Sequence, residues 1–380
     1  MATRSPTPAA ELTARQVLAW RMRRQLVHPP GSLSVAETVS SMVGAQAQVQ
    51  SWAELAVALR RRAGRVGEVR DALAQRTVLR TWAMRGTLHV LEPGQAAALL
   101  ALLATSRRWE LPSWQAAFGV GSEELEALTE AVRTALHGRV LEREELIAEI
   151  AERTGRRDLE EHLRSGWGGL LKPLAWRGHL CNGPSRGGRV TFTLPETWLP
   201  SWPGLPPEGQ AARTVIPAYL RAYGPVTVDT FAAWLARGAV RRTRVQGWFD
   251  SVADLLVDVT VAGQPRLALA ADLDALRETR PARAIRMLAG FDSYLLGPGT
   301  ADTSVIPAQR RSAVSRTAGW ISPVVLAGGR VAGIWRVETD QLAVTLFGEA
   351  PAVPTHALAT EASRVGAALA RGLALTVATD

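Results

Sequence analysis

The chain has 380 residues, of which 47% are hydrophobic and 21% charged, with a formal net charge of +9. This composition is typical of a globular protein built from two or three domains or repeated small modules. No apolar run reaches the ~20 residues of a membrane-spanning helix, the N-terminus lacks the apolar stretch of a secretory signal, and the single cysteine, Cys181, excludes an intramolecular disulfide and a thiolate-rich metal site. We therefore expect a cytoplasmic, soluble protein without a metal or other cofactor, and the positive charge favours a nucleic acid as partner.

The first part of the chain contains predicted helices followed by an alternating segment. Ser34 and Glu37 have the spacing of a capping box at the start of the second helix. Residues 78–93 alternate between apolar and polar side chains, which predicts a half-buried strand with Arg85 and His89 on its polar outer face. Helices followed by a strand or hairpin are the arrangement of a winged helix-turn-helix. The helices, predicted from apolar residues at helical spacing, cover residues 11–26, 34–44, 50–62 and 66–76.

The same order of elements recurs in the next part of the chain. Residues 141–153 and 157–180 are predicted helices. Residues 180–198 are a predicted wing, because glycine and proline form its turn, with Arg186 and Arg189 at its tip.

A third copy follows a predicted linker at residues 200–209. Residues 217–236 have the pattern of a helix, a Gly-Pro turn and a second helix, and strands are predicted near 254–270.

The tail of the chain is richer in predicted strands. One strand is predicted at 287–296, a hairpin at 324–337 and a last helix at about 355–372. The fold class is therefore α+β, with about three tandem winged helix-turn-helix modules and a strand-rich C-terminal part. The predicted domains are an N-terminal module at 1–110, a second module at 111–207, a third at 208–282 and a hairpin-containing region at 283–380.

Common enzyme motifs are missing from the sequence. We find no GxGxxG after a predicted strand, no GxxxxGK[ST], no GxSxG and no HExxH. All but one of the 44 basic residues are arginine. The exception, Lys172, lies beside Pro173 in a predicted helix, which argues against a Schiff-base mechanism.

Two glutamines at alternate positions, Gln46 and Gln48, interrupt an apolar run just after Gly44. On a helix, side chains two residues apart point in nearly opposite directions, whereas on an extended segment they project to the same side. A break at Gly44 favours the extended arrangement, with Ala47 anchored in the core. The alternative is that both amides cap the following helix and contact solvent.

The chain resembles the AlkZ-type DNA glycosylases, which are tandem winged-helix proteins. That family carries a Gln-apolar-Gln catalytic motif, matched here by Gln46, Ala47 and Gln48. One branch of the family has an acidic residue at the second glutamine position, so Gln48 places this chain with the antibiotic self-resistance branch. The resemblance rests on residues 44–62, 81–91, 291–292 and 325–336.

The resemblance implies a concave, basic channel that binds duplex DNA while Gln46 and Gln48 contact the lesion. We expect hydrolysis of the N-glycosidic bond of bulky, cationic N7-alkylguanine adducts, because a positively charged base is an activated leaving group that neutral amides suffice to displace. Without a suitable lysine, the enzyme should be monofunctional and leave an abasic site. A bulky, intercalated adduct would resist flipping into a small pocket, and three modules in one chain favour a monomer around the duplex.

The candidate DNA-binding residues are basic side chains on predicted polar surfaces. A structural role for His89 is equally compatible with the sequence. The tail arginines Arg310, Arg311 and Arg316 are equally compatible with a solvated surface that does not bind DNA. The run of residues 60–62 is expected to be a solvated helix end, and Asp292 matches a family position without an assigned role. The candidates are Arg85, His89, Arg186, Arg189, Arg310, Arg311 and Arg316.

Two other functions stay open at this stage. A winged-helix transcriptional regulator would be dimeric, and we find no dimerisation element. A protein that sequesters a drug or an adduct would need an aromatic-lined apolar pocket.

Overall fold

A computed structural model describes residues 8–380. The expectation that no secretory signal is present falls partly on residues 1–7, which lie outside the described residues. The fold is α+β, as predicted.

The helices are α1 Ala14–Arg24, α2 Val35–Ser41, α3 Gln50–Ala58, α4 Glu68–Ala74, α5 Pro93–Ala104, α6 Pro112–Phe118, α7 Ser122–Leu136, α8 Arg143–Thr154, α9 Glu160–Arg164, α10 Leu171–Trp176, α11 Pro195–Trp198, α12 Glu208–Tyr223, α13 Val228–Ala236, α14 Arg242–Ser251, α15 Leu273–Arg277, α16 Ser293–Leu296, α17 Arg311–Val314 and α18 Thr355–Leu369. The strands are β1 Glu11–Leu12, β2 Ala45–Gln46, β3 Leu79–Trp82, β4 Leu88–Leu91, β5 Leu141–Glu142, β6 Cys181–Asn182, β7 Thr191–Thr193, β8 Leu256–Val261, β9 Gln264–Leu269, β10 Ile285–Leu288, β11 Val324–Ala327, β12 Arg330–Glu338, β13 Gln341–Leu346 and β14 Ala374–Thr379.

The strands of residues 8–380 form three sheets. The largest is antiparallel, in the order β2-β4-β3-β6-β7-β5, and the pairing of Arg80 with Asn182 joins its two halves. The second has the order β10-β11-β12-β13-β14, and its last two strands are parallel. The third combines β1, β8 and β9. The first sheet thus unites strands of the first two predicted modules, while the proposed domain limits remain predictions.

Several predicted elements are confirmed by local hydrogen bonds. Ser34 caps α2, and its side chain and that of Glu37 form the expected capping box. The second helix predicted within 217–236 is present as α13, whose N-cap Thr227 accepts a hydrogen bond from the amide of Thr230. The hairpin predicted at 324–337 is present as β11 and β12. These features depend on neighbours in sequence, which is why the sequence predicts them.

Three predicted elements are wrong. The single strand at 78–93 is a hairpin of β3 and β4, because Arg85 and Gly86 adopt positive φ values of 58° and 71° and reverse the chain. The predicted helix at 157–180 is divided into α9 and α10, with Gly168 at φ 64° between them. The strand at 287–296 ends with β10, and the chain then enters α16. In addition, α12 begins inside the predicted linker at 200–209.

The core contains several hydrophobic clusters, and the glutamine segment lies where three of them meet. Val43 belongs to the cluster of the six-stranded sheet and α12. Ala45 and Ala47 belong to the cluster of α3 and the five-stranded sheet. Val49 packs against a third cluster, which surrounds Phe291. Alternate apolar residues of this segment are thus anchored in the interior.

A buried ion pair connects the chain just after α3 to the start of α16. The Arg60 guanidinium donates from Nη1 and Nη2 to the two Asp292 carboxylate oxygens over 2.8 and 2.7 Å. Both side chains are almost completely excluded from water, at 1% and 0% exposure. The expectation of a solvated helix end is therefore wrong for Arg60, whose partner lies 232 residues away in sequence. Asp292, for which the sequence indicated no role, also caps α16 by accepting from the amide of Tyr294.

None of the helices in residues 8–380 is long and apolar enough to cross a membrane.

Removing one partner of the Arg60–Asp292 pair should strongly destabilise the fold. An uncompensated charge left in the interior typically costs about 3–5 kcal/mol, so we expect Asp292→Asn and Arg60→Met to lower the midpoint of urea unfolding markedly. The matched control is Arg62→Met, because Arg62 is exposed and has no ion-pair partner among the described residues. Its effect should stay within about 0.5 kcal/mol. If Asp292→Asn unfolds at the same urea concentration as the control, the pair does not stabilise the fold.

Candidate active site

The glutamine segment begins at a sharp change of backbone direction. Val43 and Gly44 have positive φ values of 50° and 96°. A Cβ atom at Gly44 would lie 2.6 Å from a methyl carbon of Leu91, so only glycine fits there. The chain then enters β2, in which Gln46 pairs with His89 of β4. The predicted break before the glutamines and the extended backbone at Gln46 are confirmed.

The structure contradicts the alternative that the two amides cap the next helix. Helix α3 begins after Val49 and has no side-chain cap. Gln46 is buried, with 8% of its surface exposed, and Gln48 is half-buried. The side-chain carbonyl oxygens of both glutamines accept hydrogen bonds from residues 84–91, and neither caps α3.

The two amides have fixed orientations because their partners are obligatory donors. The Arg85 Nη2 group donates to the Gln46 Oε1 oxygen over 2.9 Å, and the Leu88 amide donates to the Gln48 Oε1 oxygen over 3.3 Å. A guanidinium or a backbone N–H cannot accept, so each carbonyl oxygen must face its donor. Each oxygen keeps one lone pair for a further hydrogen bond, and each NH₂ group points away from the donor.

Arg85 is positioned by the backbone as well as by Gln46. It adopts a left-handed conformation in the turn between β3 and β4, and its Nη1 group donates to the Trp234 carbonyl at the end of α13 over 3.2 Å. Burial lowers the pKa of Arg85 to about 10, so it remains a cation at neutral pH. The site therefore combines a half-buried positive charge with a neutral amide.

His89 lies inside the sheet and not on a polar outer face, so that expectation is wrong. It is 2% exposed because β2 and β3 flank β4 on both sides. Its Nδ1 atom lies 2.9 Å from the Thr87 carbonyl, which fixes the N–H on Nδ1. Burial and the nearby Arg85 charge lower the pKa of His89 to about 3. The residue is neutral at physiological pH, which matches the structural role considered for it.

The remaining candidate arginines belong to two other parts of the chain, the predicted wing tip and the C-terminal region. Arg186 and Arg189 face each other at the predicted wing tip, where Arg189 pairs with Glu142 over 3.1 Å. Arg310 is held by two carboxylates, those of Glu349 and Asp380.

Two of these candidate arginines have no side-chain partner among the described residues. Arg311 and Arg316 are exposed, and neither has a side-chain hydrogen bond or ion pair within residues 8–380. Their predicted DNA contacts remain predictions, and the paired Arg310 is the least available candidate.

Sequence reasoning missed two contributions to this region. Arg80 donates over 3.0 Å to the Oε1 oxygen of Gln50, the third glutamine of the segment. Lys172, set aside because of its position in a helix, lies against the turn that carries Arg85, since a Cβ atom at Gly86 would lie 3.5 Å from the Lys172 Nζ atom. The only signal in the sequence was that Lys172 is the single lysine.

No group of three or more histidine, cysteine, aspartate or glutamate side chains in the described part of the chain could hold a metal ion. A cavity of about 290 Å³ lies beside the five-stranded sheet, with Trp52, Trp320 and Trp335 in its walls and Arg316 at its rim.

Comparisons with known proteins define the class. A family model described as "DNA glycosylase AlkZ-like" matches residues 39–374. A curated relative from Streptomyces sahachiroi, an interstrand DNA cross-link repair glycosylase, is 46% identical over 93% of this chain and 96% of its own length. The solved structure of the Streptomyces sahachiroi DNA glycosylase AlkZ superposes with a TM-score of 0.93, at 44% identity, over 97% of this chain and 100% of that one.

The protein is thus an enzyme of the DNA glycosylase class. Within that class, the chain belongs to the AlkZ-like family. This confirms the resemblance carried by the glutamine motif and sets aside the non-catalytic regulator.

The rate of base release should not depend on pH between about pH 5 and pH 9. His89 stays neutral above its pKa of about 3, and Arg85 stays charged below its pKa of about 10, so neither group changes in that interval. The rate should fall only as the pH approaches 10, when Arg85 loses its proton and releases the Gln46 carbonyl. A single-turnover pH–rate profile measures this. An inflection near pH 6.5 that disappears in His89→Gln would contradict the assignment of His89 as a neutral structural residue.

Proposed function

We propose that the protein is a monofunctional glycosylase that hydrolyses the N-glycosidic bond of bulky, cationic N7-alkylguanine adducts in duplex DNA and leaves an abasic site. The observation that supports this most strongly is the neutral character of the site. Among the described residues, the side chains of Gln46 and Gln48 have no carboxylate as a hydrogen-bond partner. The two glutamines are the proposed catalytic residues.

Neutral amides suit a leaving group that is already charged. Alkylation at N7 makes guanine a cation, so cleavage of the bond to C1′ needs little help from a general acid. The remaining requirement is a water molecule held beside C1′ and a negative dipole facing the developing oxocarbenium ion. The free lone pair on each amide oxygen can accept a hydrogen bond from that water and present this dipole.

The contact from Arg85 limits which reactions this site can catalyse. A glutamine amide is not a base at neutral pH, and an oxygen that already accepts from a guanidinium is less basic still. The site can orient water but cannot remove its proton. A neutral base, whose departure needs protonation, should therefore be a poor substrate.

The proposed hydrolytic outcome rests on the position of the only lysine. Lys172 lies against Gly86 and is followed by Pro173 in α10, and among the described residues it forms no hydrogen bond to Gln46 or Gln48. We therefore retain the monofunctional reaction, in which water rather than an amine attacks C1′.

The cross-link named for the curated relative extends the proposed substrate. An interstrand cross-link through N7 of guanine carries the same cationic leaving group, so hydrolysis at one end would release one strand. Self-resistance to a DNA-alkylating natural product is the biological role we propose, on the basis of Gln48 in place of an acidic residue. The tandem winged-helix modules would form the basic channel around the duplex.

The tryptophan-lined cavity supports the bulky character of the proposed adduct. Trp52 lies in the first turn of α3, four residues after Gln48, and packs against Gly290. Trp320 is 39% exposed, which is unusual for so large an apolar side chain, and its ring packs edge-on against Phe291. A planar aromatic part of an adduct would find stacking partners there. The cavity also fits the earlier expectation for an adduct-binding protein, here as part of an enzyme.

Replacing either catalytic glutamine should abolish base release without preventing binding. Removal of one preorganised dipole typically costs at least about 100-fold in rate, so we expect this loss in both Gln46→Ala and Gln48→Ala. The measurement is single-turnover formation of alkali-labile sites in a duplex with one N7-alkylguanine, with DNA affinity measured in parallel. Gln50→Ala is the matched control, because Gln50 belongs to the same segment but bonds to Arg80, and it should release base within a few-fold of the wild-type rate.

Two results would overturn the proposal. Base release at the wild-type rate in both glutamine variants would place the chemistry elsewhere. Strand cleavage by the wild-type enzyme without alkali would show that the enzyme is not monofunctional.

A further inference from the structure

Four basic side chains from different elements converge around the turn that carries Arg85. Arg237 is the C-cap residue of α13, three residues after Trp234, whose carbonyl accepts a hydrogen bond from Arg85, and its charge lowers the pKa of Arg85. Lys172 in α10 lies against Gly86, and both Arg108 and Arg237 lower the pKa of its ammonium group. We call Arg85, Arg108, Lys172 and Arg237 the cation cluster.

The cation cluster has no acidic counterpart. Most arginines of this protein pair with a carboxylate, as Arg60 does with Asp292. Within residues 8–380, none of the four clustered residues forms an ion pair with aspartate or glutamate, and the described hydrogen bonds of Arg85 go to Gln46 and to the Trp234 carbonyl. Like charges at close range repel one another, and the repulsion grows when the groups are partly buried, as Lys172 is. The arrangement is therefore electrostatically costly in the free protein.

The end of a helix explains only part of this arrangement. The carbonyl groups at the C-terminus of α13 carry partial negative charge, which stabilises Arg85 and Arg237. Arg108 and Lys172 belong to other elements and receive no such compensation. An anion bound between the four side chains would remove the repulsion, and DNA supplies one at every phosphate.

We propose that the cation cluster binds the DNA phosphate next to the damaged nucleotide and so places C1′ of that nucleotide at Gln46. The proposal rests on the proposed function and adds Arg108, Lys172 and Arg237 to the site as positioning residues. Arg85 connects the cation cluster to the glutamines. Its Nη2 group donates to the Gln46 carbonyl oxygen, and the other clustered residues lie around the turn that carries Arg85. A phosphate bound by the cation cluster would therefore be separated from the amide of Gln46 by a single side chain, that of Arg85.

The number of phosphates contacted can be read from the salt dependence of DNA binding. Each lost phosphate contact lowers the slope of log affinity against log salt by about 0.9. We expect that decrease for Lys172→Gln and for Arg237→Gln on an undamaged duplex, and recovery of the wild-type slope in Lys172→Arg. The control is Arg15→Gln, because Arg15 is exposed on α1 and has no ion pair in the described part of the chain. Its slope should equal that of the wild type.

A change in the DNA tests the location of the contact without altering the protein fold. One phosphate beside an N7-methylguanine is replaced by a neutral methylphosphonate, at each flanking position in turn. At one position, wild-type base release should fall at least tenfold, whereas Lys172→Gln, already impaired on ordinary DNA, should lose little more.

The outcomes separate this inference from the proposed function. Salt slopes that are unchanged in Lys172→Gln and Arg237→Gln, or equal losses from methylphosphonate in wild type and variant, would overturn the phosphate site even if base release is normal. If the wild type releases no base, the proposed function fails, but the salt slopes still report whether the cation cluster binds phosphate.

Discussion

The buried pair of Arg60 and Asp292 is the constraint on which the position of the proposed active site depends. It joins two stretches of chain that are 232 residues apart in sequence. Beside it, the Ser293 hydroxyl donates to the Gly44 carbonyl over 2.8 Å, directly before the glutamine segment. Neither charge has access to water, so loss of one partner would leave the other as an uncompensated buried charge and destabilise the fold. The start of α16 thus holds both the chain that follows α3, through Asp292, and the chain that leads into β2, through Ser293.

The chemistry depends on this rigidity because neutral amides have little else to contribute. An amide that rotated freely would offer its donor and acceptor atoms in turn, and a water molecule beside it would have no preferred orientation. Arg85 and the Leu88 amide remove that freedom, since both can only donate. A site of this kind gives up general-base strength and relies on geometry and on fixed dipoles. A site without a general base suits a substrate whose leaving group already carries positive charge.

The sequence predicts the features of this protein that depend on near neighbours. The capping box at Ser34 was predicted correctly because it involves residues three apart, and the family resemblance indicated the motif that we propose to be catalytic. Contacts over long separations were not predictable, so Arg60 looked like a solvated helix end and Asp292 had no role. His89 was misplaced because its burial results from the strands on either side, and nothing in the sequence indicates that Arg85 adopts a conformation usually reserved for glycine. All of these features result from tertiary packing between segments that are distant in sequence, and a single sequence does not show which segments pack together.

The central claim is that two oriented, uncharged amides are sufficient because the departing base is cationic. The most direct measurement compares single-turnover release by the wild-type enzyme from two otherwise identical duplexes, one with N7-methylguanine and one with uracil in the same position. We expect release of N7-methylguanine and no release of uracil above the uncatalysed background, at equal DNA affinity. Release of uracil at a comparable rate would require an acid or base that Gln46 and Gln48 cannot provide, and it would show that neutral amides do not carry the reaction.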